Sequence, residues 1–442
     1  MKETKFKQTE VGLIPCDWEV KPFCELFEIL PNNTLSRAEL NEEYGSYKNV
    51  HYGDVLVKFG EWVDCSNTAL PFINSNAKFN HTTLQDGDIV IADTAEDETV
   101  GKSTEITNTK NLKIVSGLHT IPIRPKIKFA AKWLGYYINS ACWHDQILPF
   151  ITGTKVSAIS KAAVCQTKLF YPAKLEEQKR IAQALSDVDA VITTTEKLIA
   201  KKKALKQGTM QTLLSGKMRI QNGKWIKITD FKQTELGPIP QEWEVKNINK
   251  TCTIKARIGW QGLKSNEYLE SGDYLLVTGT DFENGFINWK TCSYVSEWRF
   301  KQDKNIQIKK GDVLITKDGT IGKVAFLNEI PQEGTLNSGV FVVRPKNSDE
   351  INSIFLSLVF KSFWFDDFLE QITSGSTIVH LYQKDFTKFN FPLPSKPEQT
   401  AIATVLSDMD SEIAALETKL AKYRQLKTGM MQQLLTGKIR LI

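Results

Sequence analysis

Near the end of the chain, apolar residues recur at Ile402, Leu406, Met409, Ile413, Leu416, Leu420 and Tyr423, in steps that alternate four and three. That rhythm is a heptad seam and predicts a long helix packed along one stripe. A second seam runs through Ile181, Leu185, Val188, Ile192, Thr195, Ile199, Lys202 and Leu205. Pro172 and Pro394 precede the two stretches, and Gly216 and Gly437 follow them, as helix start and stop signals do. Forty residues at ~1.5 Å each would make a rod of about 60 Å. Neither helix can hide its seam alone, so the two are expected to pair. Thr195 and Lys202 are polar intrusions that would fix register, or in the case of Lys202 snorkel.

The rest of the chain has a different period. "DIVIAD", "TIPIRP", "DVLITK" and "VFVVRP" are short β-rich runs bounded by Gly, Asp and Pro. Residues Ala130–Ile147 and Ile351–Ile372 read as amphipathic helices with aromatics on one face, Trp143 and Trp364 among them. These aromatics are expected in a core, within mixed α/β domains.

The chain also repeats itself. "FKQTEVGLIPCDWEV" (Phe6–Val20) returns as "FKQTELGPIPQEWEV" (Phe231–Val245), with eleven of fifteen positions identical. "DGDIVIAD" matches "KGDVLITK", "TVGK" matches "TIGK", and "EEQKRIAQALSDVDAVI" matches "PEQTAIATVLSDMDSEI". "MQTLLSGKMRI" matches "MQQLLTGKIRL". Each copy has a near-constant opening, a divergent middle with fixed anchors, and a near-constant close. Joining the last residues to the first would roughly recreate the sequence between the copies, so the chain ends are expected close together. Ile14–Pro15 and Ile239–Pro240 are expected to set a turn that Trp18 and Trp243 anchor. The divisions are 1–172, 173–216, a linker at 217–235, 236–393 and 394–442.

Composition narrows the class. Apolar residues make up 41% and charged residues 24%, as in an ordinary globular protein. No apolar run approaches the ~20 residues of a membrane span, and the polar start "MKETKFKQTE" is unlike a signal peptide. The expected location is cytoplasmic. Cys16, Cys24, Cys65, Cys142, Cys165, Cys252 and Cys292 form no C-x-x-C pair and are expected as free thiols.

Catalytic signatures are missing. "ETVGKST" lacks the first glycine of a phosphate loop, where Glu96 stands, and "TIGKVA" has Val324 after its lysine. No nucleophile elbow is present, and the five histidines show no metal-ligand spacing. A duplicated active site would leave equivalent acids, bases or ligands in both copies; what is duplicated is glycines, strand residues and helix seams. Asp88 and Asp312 do match, and each reads as a turn residue before a strand.

The twice-stated set Thr9–Val20 and Thr234–Val245, Glu177–Leu185 and Glu398–Leu406, Leu213–Arg219 and Leu434–Arg440 resembles the specificity subunits of type I restriction-modification enzymes. Lys174–Leu175–Glu176 departs from the proline of the second copy, Pro397, which bears only on the helix start. The resemblance implies an α+β fold: two α/β target-recognition domains joined by two long helices forming an antiparallel coiled coil, an internal pseudo-two-fold (cyclic) repeat. It implies a non-catalytic reader of double-stranded DNA, each domain taking one half of a bipartite asymmetric site while the coiled coil sets the gap. It implies two methyltransferase subunits docked on the conserved regions and restriction/translocase subunits beyond them. No cofactor is expected in this chain; S-adenosylmethionine, ATP and Mg2+ would belong to the partners. The alternative is a coiled-coil scaffold that never touches DNA.

Base reading needs Arg or Lys for guanine and Asn or Gln for adenine, placed where the copies differ. Asn32, Asn33 and Arg37 in the first domain, and Arg257, Trp260, Gln261 and Lys264 in the second, are the candidates. Phosphate contacts carry no sequence information and can be shared. Lys102 and Lys323 in the "GK" anchors are candidates for that, with Thr154, Lys155, Ser376 and Thr377 in the "TGTK" and "SGST" loops. Arg124 and Arg344 could instead pair with a carboxylate at a strand end. The whole chain carries +5, while residues 174–220 and 395–442 together hold +7, which leaves the remainder at −2. Weak, salt-sensitive DNA binding by the chain alone is expected.

Overall fold

The computed structural model describes residues 5–153, 155–221, 223–373 and 380–442. The chain divides into two compact units: Met1–Lys197 with Thr418–Ile442, and Leu198–Glu417. Each unit therefore draws on both long helices, Leu175–Leu214 and Lys396–Leu434.

In the first unit, Asp189 pairs with Lys427 at 2.7 Å and Glu196 with Arg424 at 2.7 Å, so the helices run antiparallel. In the second, Lys206 pairs with Asp410 at 2.5 Å and Lys202 with Glu412 at 2.6 Å, with the same result. Ile181, Leu185, Ile199, Ile402, Leu406 and Ile413 of the expected seams are buried. Val188, Ile192, Met409, Leu416, Leu420 and Tyr423 are half-buried. Thr195 satisfies its hydroxyl on the Val191 carbonyl of its own helix, 2.7 Å away. The first seam slips at its end: Leu205 is 55% exposed, and half-buried Lys206, four residues after Lys202, takes its place. The alternating rhythm calls for a step of four there.

The opening phrase folds the same way twice. Phe6–Thr9 pairs with Gly12–Pro15, and Phe231–Thr234 with Gly237–Pro240, as hairpins. Ile14–Pro15 and Ile239–Pro240 thus lie in strands rather than setting a turn. The prolines have another task, together with Trp18 and Trp243, which are 1% and 0% exposed. They pack on the glycines that end the helices. A Cβ on Gly437 would lie 2.5 Å from Pro15 Cγ, and one on Gly216 would lie 2.3 Å from Pro240 Cγ. Both glycines have φ of +70°, the left-handed turn that closes a helix.

The two units are built on matched sheets. In the first unit the order is Phe27–Ile29, Thr120–Pro125, Ile89–Ala92, Ser103–Thr107, Trp62–Asp64. In the second it is Cys252–Ala256, Val340–Pro345, Val313–Thr316, Val324–Phe326. A smaller sheet in each holds one parallel pair, Ile114–Ser116 with Lys48–Val50 and Gly334–Leu336 with Tyr274–Val277. Trp18–Pro22 with Lys168–Pro172, and Glu244–Asn247 with Asn390–Leu393, pair the strand after each opening hairpin with the domain's last strand.

Two expectations are corrected here. Residues 130–147 and 351–372 do not form single helices; they break into Trp133–Ile138 and Ala141–Ile147, and into Ser353–Val359 and Phe363–Thr373. At the breaks, Ser140 Oγ donates to Tyr137 O at 2.6 Å and Ser362 Oγ to Val359 O at 2.7 Å, side-chain bonds that compete with the helix ladder. Cys24 and Cys165 are not free thiols but a disulfide, because the pairing of Trp18–Pro22 with Lys168–Pro172 brings their Cα atoms to 5.3 Å. Within the segment between the copies, Met218–Gln221 pairs with Lys224–Lys227. Among the described residues no helix is long and apolar enough to cross a membrane.

Candidate nucleic-acid interface

Several residues expected to meet DNA are instead fixed inside their domains. Arg257 is 2% exposed; its guanidinium donates to Leu336 O at 2.9 Å, Thr335 Oγ1 at 3.2 Å and Gln302 Oε1 at 3.2 Å. Burial lowers its pKa, as expected for a cation placed among carbonyls rather than carboxylates. Gln261 is buried too, and Arg299 Nη1 donates to its carbonyl. Asn33 is buried, with Nδ2 on Asn49 Oδ1 at 3.0 Å and its own Oδ1 accepting from Leu35 N at 3.1 Å. Asn32 reaches Gly117 O at 3.3 Å. Arg257 and Asn33 hold loops together, and neither they nor Gln261 face solvent; a glycine-broken polar stretch signals such bracing as readily as it signals a binding loop.

Arg37 is half-exposed and paired with Asp54 at 2.8 Å. Lys155 and Lys264 are exposed. Trp260 lies in the one-turn helix Gly259–Gln261, and its side chain is outside the described residues. Thr154, Ser376 and Thr377 also lie outside them.

The "GK" anchors part company. Lys102 turns inward and donates to Leu56 O at 2.6 Å, and burial lowers its pKa. Lys323 is exposed and lines a cleft. What the anchors share is the glycine. Gly101 and Gly322 lie against Ile147 and Leu369, where a Cβ would come within 2.3 and 2.4 Å of a methyl carbon. Asp88 and Asp312 serve as turn residues and arginine partners at once. Asp88 Oδ2 accepts from Gln85 N at 2.8 Å while Arg124 forks onto the carboxylate at 2.9 and 2.7 Å. Asp312 repeats this with Lys309 N at 2.7 Å and Arg344 at 2.6 and 2.7 Å.

No motif signals what gathers at the ends of the matched strands Ile89–Ala92 and Val313–Thr316. In the second unit a cleft of 580 Å³ opens there, lined by Thr278, Thr280, Asp318, Lys323 and Asn337. A neighbouring cleft of 460 Å³ shares Asp318 and adds Lys317, His380 and Tyr382. His380 Nδ1 lies 2.7 Å from Asp318 Oδ1. In the first unit, Thr94 donates to Asp93 Oδ1 at 2.8 Å and meets His119 Nδ1 at 3.3 Å. His119 lies 3.4 Å from Asp93 and edge-on to Tyr52. His51 packs against Tyr52, and burial lowers its pKa.

The repeated motifs acquire a reason in the stems. Glu177 and Gln178 open one helix, Glu398 and Gln399 the other. Gln178 bridges Pro172 O at 2.8 Å and Ala130 N at 2.9 Å; Gln399 bridges Pro394 O at 2.9 Å and Asn352 N at 2.8 Å. Glu398 receives Arg219, and Glu177 receives Arg440, each through two bonds.

Known proteins share this organisation. The sequence model of the type I restriction modification DNA specificity domain matches residues 15–206 and again residues 240–423. A Methanocaldococcus jannaschii protein, provisionally named type I restriction enzyme MjaX specificity subunit, is 26% identical over 447 residues, 99% of this chain and 97% of that one. The type I restriction enzyme MjaVIII specificity subunit of the same organism is 28% identical over 295 residues, 65% of this chain and 66% of that one. The solved S subunit of a type I restriction-modification system from M. genitalium has the same fold, with a TM-score of 0.54 at 16% identity, covering 94% of this chain and 96% of that one. A chain from a type I R-M system, solved to explain complex assembly and conformational transition, gives 0.56 at 17% identity, covering 96% and 99%. This chain belongs to the type I restriction-modification DNA specificity family.

Proposed function

We propose that this chain is the DNA-recognition subunit of a type I restriction-modification complex and carries no catalysis of its own. Each recognition domain, residues 1–172 and 236–393, reads one half of a bipartite, asymmetric site in double-stranded DNA. The paired helices set the gap between the halves. The repeated stem regions dock two methyltransferase subunits, and restriction/translocase subunits complete the assembly. S-adenosylmethionine, ATP and Mg2+ belong to those partners.

The observation that carries this reading is the division of labour within the repeat. Stem contacts such as Arg219 with Glu398 and Arg440 with Glu177 are duplicated side chain for side chain. The ends of the matched strands differ instead: Asp318 and Asn337 in one unit, Thr94 and His119 in the other. Two matched stems suit two copies of one partner; two different faces suit two different half-sites. The remainder outside residues 174–220 and 395–442, at −2, supplies little electrostatic attraction to phosphate, so the chain alone binds DNA weakly and loses that binding as salt rises.

The test is expression of the chain with its methyltransferase subunit in a host lacking both, followed by sequencing of methylated adenines. A gapped two-part motif that vanishes without this chain supports the reading. Methylation with no dependence on the chain contradicts it.

A further inference from the structure

The ends of the matched strands keep one backbone in both units while exchanging nearly every side chain on it. Asp93 N donates to His119 O at 3.1 Å, and Lys317 N donates to Gly339 O at 2.9 Å. Ile159 N donates to Asp93 O at 2.9 Å, and Leu381 N to Lys317 O at 3.0 Å. Ala92 N donates to Lys102 O at 2.8 Å, and Thr316 N to Lys323 O at 3.0 Å. These bonds fix the correspondence residue by residue, independently of sequence similarity.

On that shared frame the chemistry is rewritten. Asp93 becomes Lys317, an acid replaced by a base. Thr94 becomes Asp318. Lys102, turned inward on Leu56 O, becomes exposed Lys323. His119 becomes Gly339, and His119 holds φ of +54°, a left-handed backbone that glycine adopts freely and histidine adopts at some cost. A histidine–aspartate pair nevertheless appears in both units, built from positions that do not correspond: His119 with Asp93, and His380 with Asp318. Stability alone would accept glycine at position 119. Backbone cost retained under a half-exposed imidazole, in a site whose other side chains are exchanged, points to a use for the side chain beyond the fold.

We propose that this strand-end site is where each unit reads the bases of its half-site, through Thr94 and His119 in the first unit and through Asp318, Lys323 and Asn337 in the second. The two sets would read differently. Lysine donates to guanine O6 and N7, aspartate accepts from cytosine N4, and asparagine pairs with adenine N6 and N7. The first unit offers a hydroxyl and an imidazole in their place. The inference rests on the proposed function and locates the residues that carry it.

The test is the methylated-adenine motif produced by the full chain with its methyltransferase subunit, compared for wild type, Lys323→Ala with Asn337→Ala, and His119→Gly. His119→Gly suits the existing backbone, so failure to fold cannot mask its outcome. The expected result is about tenfold or more loss of discrimination at one or two positions of a single half-site. The two sets should act on opposite halves. Unchanged motifs in both variants, or degeneracy in both halves from His119→Gly alone, would overturn the proposal. A wild-type chain that directs no gapped motif would overturn the proposed function itself, which keeps the two failures distinct.

Discussion

Arg440 forks onto the carboxylate of Glu177, 263 residues away in sequence, through bonds of 2.5 and 2.7 Å, and also reaches Asp17 at 2.9 and 2.8 Å. Its counterpart Arg219 forks onto Glu398 at 2.8 and 2.7 Å and reaches Glu242 at 2.5 Å. Each arginine follows the end of one helix and each glutamate opens the other, so every unit is closed by a piece from each copy. The carboxylates hold both guanidinium pKa values above the usual arginine value. Arg440→Ala would leave a carboxylate that is 4% exposed without its cation, a loss of about 3–5 kcal/mol. Arg440→Lys should recover only part of it, because an ammonium cannot reproduce the two parallel bonds. Denaturant unfolding of the full chain measures both; an alanine variant as stable as wild type would remove this pair from the account.

The helix-closing glycines make a graded prediction. Gly437→Ala combines a left-handed backbone with a Cβ 2.5 Å from Pro15 Cγ. The backbone term costs about 1–2 kcal/mol and overpacking typically 1–3 kcal/mol more. Gly12→Ala shares the positive φ, at +99°, but meets nothing within 4 Å. The first variant should therefore unfold well below the second in a thermal melt. Equal melting temperatures would show that the proline and tryptophan yield to the added methyl.

Glu105 predicts a pH effect confined to the first unit. It is buried, accepts from Lys132 N at 2.5 Å and Gly135 N at 2.9 Å, and burial pushes its carboxyl from 4.5 up to about 7. The folded state then keeps its proton up to about pH 7, whereas the unfolded state releases it near 4.5. Stability from this group is present below pH 4.5 and is lost as pH rises to 7, a change of about 3 kcal/mol. Glu105→Gln cannot lose a proton. The stability of wild type relative to this variant should therefore fall between pH 5 and pH 8, as measured by urea unfolding. Parallel curves would mean that the two amide bonds offset the burial.

The spacing role of the helices is tested by length. Seven residues inserted into each helix, at 197/198 and 417/418, preserve the four-three rhythm and add about 10 Å. At 3.4 Å per base pair, the gap in the methylated motif should grow by about three pairs. An unchanged gap would separate the helices from the spacing.

The periodic and repeated features were legible in the sequence. The seams at Ile181–Ile199 and Ile402–Tyr423 needed only spacing, and the repeat foreshadowed the meeting of Asp17 with Arg440. Side-chain bonds to the backbone were not legible: Ser140 and Ser362 break helices that hydropathy joins. Arg257 misled because an arginine in a polar loop gives no sign that three acceptors wait inside the domain. The strand-end site was missed because Asp318, Asn337 and His380 come together only through the sheet, and because His119 and Gly339 correspond through hydrogen bonds rather than through similar residues. Cys24 and Cys165, 141 residues apart, were hidden for the same reason.

The central claim, that each unit reads its own half-site, meets its most direct test in an exchange. Residues 248–389 would be replaced by residues 23–167. The cuts fall at matched bonds, Phe23 N to Thr167 O and Ile248 N to Phe389 O, both 2.9 Å. Methylated adenines would then be sequenced in a host expressing the exchanged chain with its methyltransferase subunit. The account predicts a motif in which the first half-site occurs twice and the second is gone. Persistence of the second half-site would contradict it.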